Sequence, residues 1–491
     1  MRPPLMTLGS ARSAPLSLML FPVAAVSVCA LGAVTLLANL SVAAVSVDEP
    51  GYLAAGADYV AGAATLNLEH PYLAKQLIGI SQAVLGESLL AGRLPGVGAA
   101  ALTGMVVFAV GREVAGRWAG LVAAGLWLGL PQAPGTIVLR LDRYAVLEPP
   151  MVLFSMLAVL LALLALRTGR RPRRGARRCT LLLGAGAAVG LATSAKFTGV
   201  LAMAAVATVV AVSGGALRRR GALIVGVLLA AAIAFWLPYA AQRDPGLDGL
   251  RYAAAFQTRH VATGHPQIVA GRVYTAAPWW SNGWWQWSYL GWTGVLALWT
   301  LAATGLLAPP RLGHERALRL SIGTFLVAGL AFISLYPVRL PHYHLVLVAP
   351  LCIAAGAGMV AMFRSRTPMR LVGMVLAAPL LMSVVTTAYD AVTLEPANYG
   401  RLEQSLRAAG VPAGEVAVWG WVHVAALHLD PGTYPAVPPL AGSRPVAVVV
   451  DPVVADRQRG TPLAATVTGL TRGCRGRQVD RLTVYLCLAR G

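Results

Sequence analysis

The sequence predicts a polytopic α-helical membrane protein of about eleven transmembrane helices, followed by a small C-terminal α/β domain. Three observations predict it. Of the 491 residues 57% are hydrophobic and only 12% are charged, whereas a soluble chain of this length carries far more charge. Apolar runs long enough to cross a bilayer recur along residues 1–389. The loops between those runs alternate between arginine-rich and arginine-poor.

The first run extends from about Leu16 to Val47, after Arg2 and Arg12. A cleaved signal peptide has an apolar core of roughly 7–15 residues. This run is about twice that, so it reads as an uncleaved first span. Spans follow the same length criterion near 17–40, 94–111, 117–134, 144–166, 180–195, 197–214, 221–240, 286–307, 320–337, 343–363 and 371–389. The 180–214 region also reads as one long span.

With the N-terminus inside and strict alternation, the inner segments hold 20 of the 40 Lys and Arg residues but only Glu113 and Glu315 of the 19 acids. Every inner loop then obeys the positive-inside rule, and one missed span would break the pattern. The formal charge of +21 is therefore topogenic, and nucleic acid is dropped as a partner. The opposite face takes the first loop (48–93), the turns at 140–143 and around Lys196, the 241–285 loop, a short loop at 337–342, and the tail. Abundant Ala, and only Lys75 and Lys196 among the lysines, suggest a GC-rich bacterial genome; for a multi-pass bacterial protein the expected location is the plasma membrane.

The tail from about Asp390 changes character. Glu415–Trp419, Arg444–Val450 and Arg481–Leu486 read as buried strands, and Asn398–Ala409 as a helix. The reading is an extracytoplasmic α/β domain over 390–491 without a Gly-rich phosphate loop. Cys474 and Cys487 lie together there and would pair if the tail is outside the cytoplasm. Cys29, Cys179 and Cys352 sit in or beside apolar runs and read as packing residues.

Chemistry concentrates in the first loop. Asp48 and Glu49 stand where the first span emerges, followed by Tyr52, then Glu69, His70, Tyr72 and Lys75. A carboxylate held at a membrane surface can take a proton from an acceptor hydroxyl, and partial desolvation makes it a better base. The bland reading is a solvated acidic boundary. The 241–285 loop and its exit hold Trp279, Trp280, Trp284, Trp285 and Trp287, which serve either as a membrane-interface belt or as a stacking surface for sugar or lipid. His260 and His265, with no nearby acid, make a poor metal pattern.

The series Asp48-Glu49-Pro50-x-Tyr52, Asn67-Leu68-Glu69-His70-Pro71-x-Leu73-Ala74-Lys75, Arg93-Leu94-Pro95, Arg140-Leu141-Asp142-Arg143, Thr193–Gly199 and Arg339-Leu340-Pro341-His342-Tyr343 resembles the protein O-mannosyltransferase and aminoarabinose-transferase-like family of GT-C fold glycosyltransferases. The likeness covers about 1–365. It is strongest in the first loop, where Pro71-Tyr72 replaces the two prolines of many members.

The resemblance implies transfer of a sugar from a polyprenyl-phosphate donor to an acceptor hydroxyl on a lipid, protein or polysaccharide, outside the cytoplasm and with inversion. It implies Asp48 as general base or acceptor-orienting carboxylate, Glu49 as its support or as an acceptor-orienting group, and Asp142 as a second acid near the donor sugar or a metal. His70, Lys75, Arg93, Arg140 and Lys196 would meet the donor phosphate, while Arg339, His342 and Tyr343 close the pocket. Glu148 is kept as a supporting acid. The carboxylate pair Asp48–Glu49 allows a divalent cation. Simpler roles stay open: Lys75 and Arg93 as snorkelling cations, Arg140 and Arg143 paired with Asp142 or Glu148, Lys196 as a structural charge, and His342 and His344 as interface residues. The rival function class is a transporter or flippase for lipid-linked sugars. It predicts inverted repeats and mid-bilayer polar residues, and neither is seen in the sequence.

Overall fold

The structure is a computed structural model and describes residues 14–41, 48–132, 140–168, 175–212, 217–244, 246–264, 267–270, 272–309, 313–394, 398–420, 422–440, 445–480 and 482–487. Nine helices among these residues are long and apolar enough to cross a membrane. They are α1 (Ala14–Leu37), α4 (Leu89–Ala115), α6 (Glu148–Thr168), α7 (Gly175–Ala195), α9 (Leu217–Ala241), α11 (Ser281–Leu307), α12 (Gly313–Leu335), α13 (Leu345–Phe363) and α14 (Thr367–Thr393). The spans expected over 117–134 and 197–214 are shorter elements. The first is the 13-residue α5 (Arg117–Gly129). The second is a 3₁₀ turn, Phe197–Leu201, leading into α8 (Ala202–Val212).

Helix α13 is the axis of the bundle. In its span 89% of the most apolar stretch is buried, against 17% for α1, α9 and α14, which lie at the periphery. Its closest approach is to α11, where a Cβ on Gly358 would run into the Leu301 carbonyl and one on Gly305 into that of Ala354. Backbones approach this closely in membranes through small residues, because lipid supplies no hydrophobic drive for larger ones to associate.

The first loop folds as two short helices, α2 (Glu49–Val60) and α3 (Leu73–Leu85). They meet at Gly56 and Gly79, each of which lacks room for a Cβ against the other's backbone. The turn joining them is knotted by side chains. Asp58 accepts from Thr65 N at 2.5 Å and Leu66 N at 3.2 Å, and Asn67 sits in the left-handed region at φ 52°. The 241–285 loop is likewise structured. It contains α10 (Asp248–Thr263) and a small antiparallel hairpin of β1 (Gln267–Val269) and β2 (Arg272–Tyr274). His265 lies outside the described residues.

After α14 comes a five-stranded sheet of order β4-β3-β5-β7-β6. Its strands are β3 (Val416–Trp419), β4 (Ala436–Val437), β5 (Ala447–Val450), β6 (Arg475–Val479) and β7 (Leu482–Leu486). β3 runs parallel to β4 and β5, and the β5–β7 and β7–β6 pairs are antiparallel. The period of two divides the strands between two cores. Val416, Val418, Ala447 and Val449 face one cluster with α15 (Leu402–Ala408), while Ala417, Trp419 and Val448 face another with α18 (Pro462–Thr471). Cys474 and Cys487 are disulfide-bonded and tie the start of β6 to the end of β7. The short helix α16 (Val422–Leu427) rests on α2, and Leu89 packs into the α15 cluster.

Candidate active site

Two fully buried ion pairs form a floor. The Arg93 guanidinium meets Glu49 through Nε to Oε1 at 2.9 Å and through its second arm to Oε2 at 2.8 Å. Glu49 also accepts from Ala145 N at 2.8 Å, and Arg93 donates to the Leu40 carbonyl at 2.6 Å. Beside this pair, Arg140 clasps Asp142 with two arms, one at 2.9 Å, and donates to the carbonyls of Trp127, Leu128 and Leu130 at 2.8–3.0 Å. Gln132 donates to the same Asp142 carboxylate at 3.0 Å. Buried pairs persist only with this degree of hydrogen bonding. The donors of Arg93 and Arg140 thus engage protein acceptors. Tethering Glu49 fixes the start of α2 and so holds its half-buried N-cap residue, Asp48.

A second polar group lies around Tyr52 and His70, whose rings meet edge to face at 5.9 Å. Burial, then the charges of Asp48 and Glu148 with Tyr343 and Glu69 behind them, raise the Tyr52 hydroxyl well above its ordinary range. It therefore stays protonated as a donor at neutral pH. Burial, then Lys196, Lys75, His342 and His260, hold His70 well below the usual imidazole range, so it stays neutral. Lys196 follows α7 and reaches the Glu148 carboxylate at the start of α6, with its Nζ 4.8 Å from the centre of the Tyr343 ring. His342 Nε2 lies 3.8 Å from the same carboxylate. Asp48, His70, Lys196, His342 and Tyr343 thus come into one neighbourhood, together with Tyr52 and Glu148.

A cavity of about 330 Å³ opens beside this cluster. His70, Lys196, Gln257, Tyr336 and Tyr343 form its polar wall, and Phe197, Val200, Leu201 and Phe332 its apolar wall. Tyr336 donates to Gln257 Oε1 at 3.0 Å, which brings α10 over α12. A cavity with an apolar wall facing a wall of a lysine and several hydrogen-bonding groups has room for an amphiphile with a polar head.

Lys75 and Arg339 do not line this cavity. Lys75 is buried in the α2–α3 turn, donating to the carbonyls of Asn67 and His70, the latter at 2.8 Å, and lying over the Tyr59 ring. Burial pushes its pKa down to about 7, against the pull of Glu69. Arg339 donates to the carbonyls of Ala277 and Ser334 at 2.6 and 2.5 Å, and its own carbonyl accepts from Trp285 at 2.7 Å. It pins the tryptophan-rich segment to the end of α12. No three His, Cys, Asp or Glu side chains converge as metal ligands among the described residues. Both Glu49 oxygens are held by Arg93, so Asp48 and Glu49 do not fit a two-carboxylate cation site. Sequence reasoning gave no role to Tyr52, Gln257, Tyr336 or the apolar wall. Tyr52 and Phe197 carried a signal, their places in the quoted motifs.

Comparison with solved structures decides the fold. ArnT from Cupriavidus metallidurans, bound to undecaprenyl phosphate, superposes with a TM-score of 0.56 at 15% identity, over 97% of this chain and 99% of that one. The Archaeoglobus fulgidus oligosaccharyltransferase in its apo form gives 0.53 at 13% identity, over 92% of this chain and 72% of the other.

The chain has the GT-C fold.

A further GT-C neighbour is the archaeal oligosaccharyltransferase AglB from the same organism, in complex with an inhibitory peptide and a dolichol-phosphate. It superposes at 0.51 with 11% identity, over 97% of this chain and 75% of that one. Residues 69–239 match the dolichyl-phosphate-mannose-protein mannosyltransferase family. That match contains His70, Lys75, Asp142, Glu148 and Lys196, and begins after Asp48. No curated protein matches the chain.

Proposed function

We propose that this GT-C protein is a membrane glycosyltransferase that moves a sugar from a polyprenyl-phosphate carrier to an acceptor hydroxyl on the extracytoplasmic side. The observation that carries the proposal is the cavity with Lys196 at its polar wall and an apolar wall leading away from it. The polyprenyl chain would lie along Phe197, Leu201 and Phe332, with its phosphate at Lys196 and the Tyr343 hydroxyl. Carriers of this chemistry are bound in two of the GT-C neighbours, undecaprenyl phosphate in ArnT and dolichol-phosphate in AglB. The disulfide between Cys474 and Cys487 suits a tail on the oxidising side of the membrane.

In the proposed reaction Asp48 takes the acceptor's hydroxyl proton. The oxygen forms a bond to the anomeric carbon as the bond from that carbon to the phosphate oxygen breaks. The electron pair leaves with the polyprenyl phosphate, and a single displacement of this kind inverts the anomeric centre. Negative charge grows on the leaving phosphate, and a cation already aimed there stabilises the transition state without reorganising. Lys196 is that cation, oriented by Glu148; Tyr52, protonated, and His70, neutral, supply hydrogen bonds. Glu49, Arg93, Arg140 and Asp142 hold the frame, and Lys75 and Arg339 hold the two loops that flank it.

The test is transfer by the purified protein from labelled polyprenyl-phosphate sugars, with labelled products sorted as lipid, protein or polysaccharide. The reading expects a labelled acceptor and free polyprenyl phosphate in equal amounts. Donor crossing the bilayer with no product made is the transporter result and sinks it.

A further inference from the structure

Helix α10 reaches the cavity wall through Gln257. The start of the helix is fixed by Asp244, whose carboxylate accepts from Asp248 N at 2.7 Å, Gly249 N at 2.9 Å and the Tyr72 hydroxyl at 3.2 Å. Gly249 lies so close to Tyr72 that a Cβ there would run into the hydroxyl. Gly249, Ala253 and Gln257 are spaced at one helical turn and share a face. The first two are buried. From Gly249 to Gln257 the helix rises about 12 Å, which carries that face from Tyr72 to the cavity.

Gln257 ties α10 to two other segments. Its Oε1 accepts from the hydroxyl of Tyr336, just past α12, at 3.0 Å. Its amide donates to the Glu69 carbonyl, in the α2–α3 turn, at 3.4 Å, which is long for an amide donor. An amide nitrogen carries two N–H groups, and a phenolic oxygen still accepts after it has donated. Among the described residues these two side chains make no other hydrogen bond, so the protein leaves one Gln257 N–H and the Tyr336 oxygen unused. Both side chains line the cavity and neither is charged; Lys196 supplies the charge of that wall. The Tyr336 ring centre lies 6.1 Å from that of Tyr343 and 5.3 Å from that of Phe332. It is therefore beside both the residue proposed for the phosphate and one proposed for the polyprenyl chain.

We propose, on the donor reading above, that Gln257 and Tyr336 are a specificity pair that hydrogen-bonds a hydroxyl of the donor sugar. The anomeric carbon is bonded to a phosphate oxygen. A sugar whose phosphate sits at Lys196 and Tyr343 thus has its ring in the adjoining space, which Tyr336 lines. A sugar hydroxyl both donates and accepts, which matches an amide N–H beside a phenolic oxygen. The ionised phosphate diester only accepts and is served better by a cation. A site built to hydrogen-bond a hydroxyl discriminates strongly against a ligand that lacks it.

The test is equilibrium binding of labelled carriers to the full-length protein in neutral detergent. The probes are undecaprenyl phosphate diesters bearing mannose, glucose or arabinose, and the methyl diester, which has the same charge and no sugar. Tyr336→Phe removes the hydroxyl and keeps the ring on Phe332; Gln257→Leu removes the amide and keeps the bulk. The parent should bind at least one sugar diester about tenfold or more tighter than the methyl diester. Each variant should lower that preference by about tenfold while holding the methyl diester as the parent does. No preference in the parent, or an unchanged preference in either variant, overturns the specificity pair and leaves the donor cavity standing. So does a variant that loses all the diesters in step, which is the result of a merely structural latch between α10 and α12. A parent that binds none of the diesters sinks the donor reading and the pair with it.

Discussion

At the scale of single residues, Arg93 and Lys75 separate charge that builds the site from charge that meets substrate. Arg93 has no exposed surface and grips Glu49 with two arms. Replacing Arg93 by Met leaves the Glu49 carboxylate buried without its guanidinium, which costs about 3–5 kcal/mol. Thermal unfolding should show that loss for Arg93→Met and its partial recovery in Arg93→Met/Glu49→Gln; equal midpoints for the two variants would mean that the pair is not coupled. Lys75 works by burial. With its folded pKa near 7 and its unfolded value at 10.5, the unfolded chain binds the extra proton between those limits. Stability contributed through Lys75 therefore rises with pH from about 7 to 10.5. Lys75→Met should flatten the pH–stability curve across that window, as read by unfolding at pH 7, 8.5 and 10. An unchanged slope would argue that Lys75 is charged throughout.

At the scale of elements, what the sequence revealed follows from how strongly each pattern is written. Long apolar helices such as α6 and α13 were plain, because a run of about 20 apolar residues matches the thickness of a bilayer and only a helix satisfies its backbone there. The elements over 117–134 and 197–214 fell short: α5 and α8 are apolar but brief, and α8 is entered through a 3₁₀ turn after Lys196. Strands β3, β5 and β7 showed in their apolar runs. β4 has two residues, and β6, Arg475–Val479, is an exposed edge with only Val479 buried, so neither carries periodicity. α10 falls in a stretch that reads as loop, since its 16 residues carry charge and do not make a bilayer span. In the site, ionisable residues could be named from the motifs, but not sorted. The Arg140–Asp142 pair is one of the readings the sequence leaves open, but nothing in the order of residues says that Gln257 comes over from α10.

The edge of the sheet offers a test at this scale. The Cys474–Cys487 disulfide spans a separation of 13 residues around β6 and β7. A loop of that size stabilises by about 3 kcal/mol. Reduction, or Cys474→Ser/Cys487→Ser, should lower the unfolding midpoint of the C-terminal unit by that order while the helical bundle keeps its own transition. No change in either transition would show that the bond bears no constraint.

At the scale of the whole molecule, arginine placement and site geometry make a joint claim about sidedness. The proposed site and the tail share one face, and the arginine-rich loops take the other. In intact cells, a membrane-impermeant maleimide should label Cys474 and Cys487 after mild reduction. A cysteine placed at Ser365 should react only after the cells are opened. The reverse pattern would invert the molecule and put the site inside.

Asp48 is the point on which these scales meet, because the floor of ion pairs fixes α2, α2 fixes Asp48, and Asp48 lies near Tyr52 beside the cavity. The most direct measurement is sugar transfer and donor binding by Asp48→Asn, taken on the same preparation. The account predicts transfer reduced by about 10²–10⁴-fold with donor affinity within about twofold of the parent. Transfer at the parental rate, or donor binding lost in step with transfer while the fold persists, would contradict Asp48 as the base.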